Sequence, residues 1–182
     1  MSFFPGAAGL HRQPSPTSGW HLRDSRRDHG HQPEANQPML VPHLVVDDAA
    51  AALDFYAKAF GAEEMARIPG PDGKLIHAAF RINGVMLFLN DDFPEMNDGK
   101  STTPTALGGS PVTIHLHGAD VDARFQRALD AGATVVNPLE DQFWGGDRYG
   151  VVRDPFGHQW SLAETVREVD MAEMMAQMAS GG

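Results

Sequence analysis

The chain has 182 residues, 42% of them hydrophobic, which suits one domain with a real core or two small fused modules. It contains no cysteine, which excludes a disulfide framework and thiolate chemistry, and its formal net charge of −10 argues against nucleic acid as a partner. No apolar run approaches the ~20 residues of a membrane span, so a cytoplasmic protein without membrane contact is expected.

Residues 1–38 are dominated by Gly, Pro, Ser, Arg and His and lack hydrophobic periodicity. Such a composition cannot bury enough apolar surface to offset its ordering entropy, so a disordered extension is expected. Its deletion should leave the melting temperature nearly unchanged. The start, Met1-Ser2-Phe3-Phe4-Pro5, has no basic n-region and makes a poor signal peptide. His29-Gly30-His31 has no partner cluster for a metal. Met39 stands just before the first apolar run and is a candidate start of the native chain.

Leu40 to Val46 reads as a strand, and Asp47-Asp48 offers an N-cap for a helix over Ala49 to Phe60. Ala52, Phe55, Tyr56 and Ala59 recur at helical spacing, and Gly61 is the expected stop. Glu63 to Ile68 follows as a strand. Leu75 to Ile82 and Val85 to Asn90 form a hairpin across Asn83-Gly84, a strong two-residue turn signal. After a polar linker, Asp91 to Ser110, the order recurs. Val112 to His117 is a strand, and Asp120 to Ala131 is a helix with Val121, Phe125, Ala128 and Leu129 on one face. Thr134 to Leu139, Arg148 to Arg153 and His158 to Ala163 are strands. The last two are joined by Asp154-Pro155-Phe156-Gly157, which fits a type I turn. Asp170 to Ser180 reads as a helix capped by Asp170 with Glu173 at N3. Met171, Met174, Met175 and Met178 share a face expected to pack on the domain or on a second copy.

The stretch RYGVVRDPFGHQWSL, together with LVVDDAAAALDFYAKAFGA at Leu44 to Ala62, resembles the vicinal oxygen chelate superfamily. That superfamily holds glyoxalase I, extradiol dioxygenases and bleomycin-resistance proteins. The FWGGDRYG lead-in is similar to its PhnB-like, glyoxalase-related branch. The resemblance covers about Met39 to Glu164. It implies an α+β fold in which two βαβββ modules, 39–91 and 111–165, form a half-open barrel around a ligand. A homodimer is expected.

Metal enzymes of this superfamily take His and Glu ligands from the first and fourth strands of each module. Carried over from the helix-ending glycines and the Asp-Pro turn, those positions fall on Val41, Phe88, Thr113 and Ser161. Valine and phenylalanine have no donor atom and lone hydroxyls are poor ligands. No cofactor is therefore predicted, and a divalent metal remains only as the alternative.

Alternation along a strand puts His43 on the face of Val41, and His115 and His117 on the face of Thr113. These histidines could be held by backbone or water, contact a ligand, act as a general base or form a displaced metal site. Phe143, Trp144, Arg148 and Tyr149 flank Gly145-Gly146, either as a cap at the cup mouth or as a core lid. The expected binding set is His43, Phe88, Thr113, His115, His117, Trp144, Arg148 and Ser161. The expected function is binding of a small organic ligand without the usual metal. The alternative is a metal-dependent lyase, isomerase or dioxygenase using shifted histidines.

Overall fold

The computed structural model describes residues 40–142 and 145–180. The expected disordered extension lies outside them.

Strand β1 (His43–Val46) is followed by helix α1 (Ala49–Phe60) and strands β2 (Glu63–Pro69), β3 (Leu75–Ile82) and β4 (Val85–Asp91). The second module repeats this with β5 (Thr113–His117), α3 (Val121–Asp130), β6 (Thr134–Asp141), β7 (Asp147–Arg153) and β8 (Gln159–Thr165). Each module forms a four-stranded sheet, ordered β1-β4-β3-β2 and β5-β8-β7-β6. In both, the first strand pairs in parallel with the fourth and the remaining pairs are antiparallel. The α+β duplication is therefore present, as two separate ladders.

The local signals explain the boundaries. Asp48 accepts a hydrogen bond from Ala51 N at 2.9 Å and starts α1; Gly61, at φ 68°, ends it. Asn83 and Gly84 both take positive φ, at 49° and 80°, as a tight hairpin turn of this kind requires. The linker is more ordered than its polarity implies. It holds a 3-10 turn at Pro94–Met96 and a short helix α2 (Pro104–Leu107) capped by the buried Thr103. Helix α4 (Met171–Ser180) begins after Asp170, whose carboxylate accepts from Ala172 N. Met175 is exposed and Met174 half-buried, while the side chains of Met171, Glu173 and Met178 lie outside the described set.

One core serves both modules. Leu44, Val46, Phe80, Leu87 and Leu89 from the first sheet join Val152, Trp160 and Leu162 from the second around α1 and α3. Trp160 tilts against Tyr56 and Phe60 of α1, with ring centroids 5.2 and 4.5 Å away. Its indole Nε1 and the Tyr56 hydroxyl both donate to Asp154 Oδ2, at 2.8 and 2.9 Å. Asp154 Oδ1 accepts from the backbone N–H groups of Phe156 and His158. The turn between β7 and β8 is thereby pinned to α1, and burial beside Asp154 holds the Tyr56 phenol neutral, its pKa raised well above the ordinary value.

Candidate ligand-binding site

Alternation sets the direction of each site residue. In β1, Leu44 and Val46 enter the core, so His43 and Val45 point away from it. In β5, Ile114 and Leu116 pack on the core, so Thr113, His115 and His117 point away. The register pairs His43 with Phe88 and His115 with Ser161, the same relation in both modules. Val41 lies half-buried before β1, outside the strand. The first-strand residue opposite each fourth-strand position is thus a histidine, two residues beyond the one carried over from the resemblance.

On the first sheet His43, His77 and Phe88 form one ring cluster. The His43 centroid is 5.8 Å from His77 and 5.9 Å from Phe88, and His77 is 4.8 Å from Phe88. Burial lowers the His43 pKa, His77 lowers it further, and a hydrogen bond with Asn90 opposes them. On the second sheet His115 Nδ1 lies 2.8 Å from Ser161 Oγ, which is buried, and its ring stacks on Tyr149 at 6.3 Å. His117 Nε2 lies 3.2 Å from Thr165 Oγ1. His43, His77 and Phe88 all belong to the first sheet, and His115, Ser161 and Tyr149 all to the second.

Two adjoining grooves border these strands. One, of about 400 Å³, is lined by Thr113, His115 and His117 against Ile82, Val85 and Leu87 of the β3–β4 hairpin. The other, of about 310 Å³, is lined by His43, Ser110 and His158. They share Pro42, Val112 and Ile114. Both volumes lie in the range of small-molecule sites. Phe88 and Ser161 line neither groove; each pairs across the ladder with a histidine that does.

Arg148 departs from expectation. It belongs to β7, where it pairs with Glu164, and its guanidinium holds Asp122 of α3 at 2.9 Å and Asp141 at 2.9 Å. The hydrogen bond from Arg148 depresses the Asp122 pKa. Arg148 therefore faces the helix side and braces α3, away from the mouth of a cup. The reason is strand alternation: Arg148 and Tyr149 are neighbours in β7, the strand expected from Arg148 onward, and so face opposite sides of the sheet. Trp144 lies outside the described residues. Tyr149, read beside Gly145-Gly146 as cap or lid, lies on the His115 face of β7. His77, Asn90, Asp147 and Thr165 stand outside the expected binding set, and once the register is known, alternation from Phe88 and Ser161 reaches them too.

The donor set does not fit the superfamily's divalent metal. The two opposed pairs supply two imidazoles, a phenyl ring and one hydroxyl already hydrogen-bonded to His115. Among the described residues no group of three or more His, Asp or Glu is placed to hold a cation.

Duplicated βαβββ modules with a groove at their first strands define a glyoxalase-like α+β protein. Residues 37–162 match the model of the Glyoxalase/Bleomycin resistance protein/Dioxygenase superfamily, and the chain belongs to that family. It is 70% identical over 146 residues to the uncharacterized protein Rv0887c of Mycobacterium tuberculosis, covering 80% of this chain and 85% of that one. The crystal structure of the Arabidopsis thaliana At5g48480 product is similar, with 30% identity and a TM-score of 0.57, covering 70% of this chain and 99% of that one. The fold is also similar to that of the PhnB protein from Bacillus cereus, at 20% identity and a TM-score of 0.52, over 70% of this chain and 99% of that one.

Proposed function

We propose that this protein binds a small organic ligand in the grooves beside β1 and β5 without the superfamily's divalent metal. The observation that carries this reading is the pair of opposed residues in each module, His43 with Phe88 and His115 with Ser161. They leave polar but non-chelating groups beside a largely apolar groove, which suits an organic molecule better than a bare cation. His43, its pKa lowered, is neutral at pH 7 and can accept or donate one hydrogen bond.

A homodimer in the cytoplasm is part of the same proposal. Val85 and Val112, which line the larger groove, are exposed, as are Met65 and Ile68 of β2 and Val135 and Val136 of β6. A second copy would cover such residues. Among the described residues no helix is long and apolar enough to cross a membrane.

Elemental analysis of untagged protein tests the metal-free reading. Substoichiometric Zn, Ni, Mn and Fe is expected, together with organic hits in a thermal-shift screen run in chelator. One metal per chain, required for every hit, would transfer the protein to the metalloenzyme class. Light scattering should give twice the chain mass, and a monomer at all concentrations would refute the dimer.

A further inference from the structure

At the β3–β4 turn a cavity of about 30 Å³ lies between the two modules. The first module contributes Phe60, Ile82 and Asn83, and the second Leu116, Arg124, Arg127 and Leu162. That volume holds a particle of about the size of water and no organic molecule. Both hydrogens of Arg124 Nη2 are used, by Gly118 O at 2.8 Å and Ala163 O at 2.9 Å. The Arg124 Nε–H is buried and has no acceptor. Arg127 Nε donates to Ala59 O of α1 at 3.0 Å. Burial lowers the Arg124 pKa and Arg127 lowers it further, while Glu164 and Asp120 oppose them. Among the described residues neither arginine has a carboxylate within ion-pair distance, and Glu164 Oε2 already accepts from Val121 N.

We propose that this cavity binds one chloride-sized halide ion, held by Arg124, Arg127 and Asn83, and that the ion joins the two modules. A buried N–H without an acceptor is costly, and so is a buried charge without a partner. A water molecule would accept from Nε but would bring two hydrogens that need acceptors of their own. Among the described residues no carboxylate lines the cavity to take them. A halide only accepts. It takes the Nε–H, and its charge offsets two guanidinium groups set among Phe60, Ile82, Leu116 and Leu162. Asn83, at φ 49° in the turn, brings an amide that can donate from the first module, while both arginines belong to the second. Phosphate and sulfate are larger than the cavity. Ile82, Asn83 and Leu116 also border the larger groove, but the arginines do not, so the ion site does not depend on the groove's ligand.

Thermal melts of the full chain test the site, with sodium chloride replacing sodium gluconate at constant ionic strength. Because the ion binds the folded chain, the melting temperature should rise by about 3–5 °C per tenfold chloride above the dissociation constant. Bromide should act in the same way. Arg127→Gln should move the onset of the rise to at least about tenfold higher chloride. Arg153→Gln, which removes an exposed positive charge elsewhere, should leave the onset in place. Arg124→Lys keeps the charge but loses the Nε–H, and should weaken the response as Arg127→Gln does. A crystal grown in bromide gives the position directly: an anomalous peak is expected in the cavity, within hydrogen-bond distance of Arg124 Nε. The same melting temperature in chloride and gluconate would overturn the proposal. So would an ordered water at that position with no bromide signal, or a chloride response unchanged in both Arg127→Gln and Arg124→Lys.

Discussion

Four donors converge on the buried Asp154. It accepts from Tyr56, Trp160 and two backbone N–H groups while only 4% exposed. Asp154→Ala would leave these donors unpaired and should cost about 3–5 kcal/mol in urea denaturation, whereas Tyr56→Phe removes one bond to a charged group and should cost about 1.5–3 kcal/mol. Equal effects would show that the carboxylate is not the hub. Next to it, Gly157 has φ 91°, and an added Cβ would meet the Pro104 side chain at 2.9 Å. Gly99 lies in the linker yet also takes φ 76°, with open space around it. Valine at either position incurs the left-handed strain of about 1–2 kcal/mol, and only at Gly157 does it add a clash. Gly157→Val should therefore lower stability more than Gly99→Val. His43 supplies a pH dependence. Its folded-state pKa lies below the ordinary 6.5, so the unfolded chain binds more protons between the two values. Its stabilising effect is complete above 6.5 and declines as pH falls from there through the folded value. The loss of stability between about pH 7.5 and about pH 5.5 should be smaller in His43→Phe than in the parent.

At the scale of elements, the two modules start their helices by related means. Asp91, at the end of β4, accepts from Ala49 N at 2.7 Å, and Glu164, near the end of β8, accepts from Val121 N at 2.9 Å. The N-cap residues then differ: Asp48 caps with its side chain, and Asp120, at φ 58°, does not. Asp48→Ala should cost about 1 kcal/mol, while Asp120→Ala should not lose a cap and Glu164→Ala should. Thermal melts of the three variants decide this, and a large loss at Asp120 alone would contradict it. The helices were legible in the sequence because Ala49 to Phe60 carries its own periodicity, cap and stop. The Asn83-Gly84 hairpin was legible because only positive φ fits there. The ordered linker was not, since Thr103 is buried by contacts distant in sequence. Arg148 was misplaced for a related reason: its strand partner Glu164 and its ion-pair partner Asp122 come from other elements.

For the whole molecule, family offsets in the sequence came within two residues of the first-strand histidines, and alternation then put His43, His115 and His117 on the outward face. What the sequence lacked was register. Only the ladder shows that His43 opposes Phe88 and His115 opposes Ser161, and hence that His77, Tyr149 and Thr165 share those faces. The molecule that results pairs one shared core with two outward sheet faces, each carrying histidines beside a groove. The central claim is that these groups bind an organic ligand without a divalent metal. Calorimetric titration of a thermal-shift hit, with and without EDTA, tests it most directly. The account predicts the same affinity in both, weakened by about 1–3 kcal/mol in His43→Ala and in His115→Ala. Binding abolished by EDTA and restored by a single metal ion would contradict it.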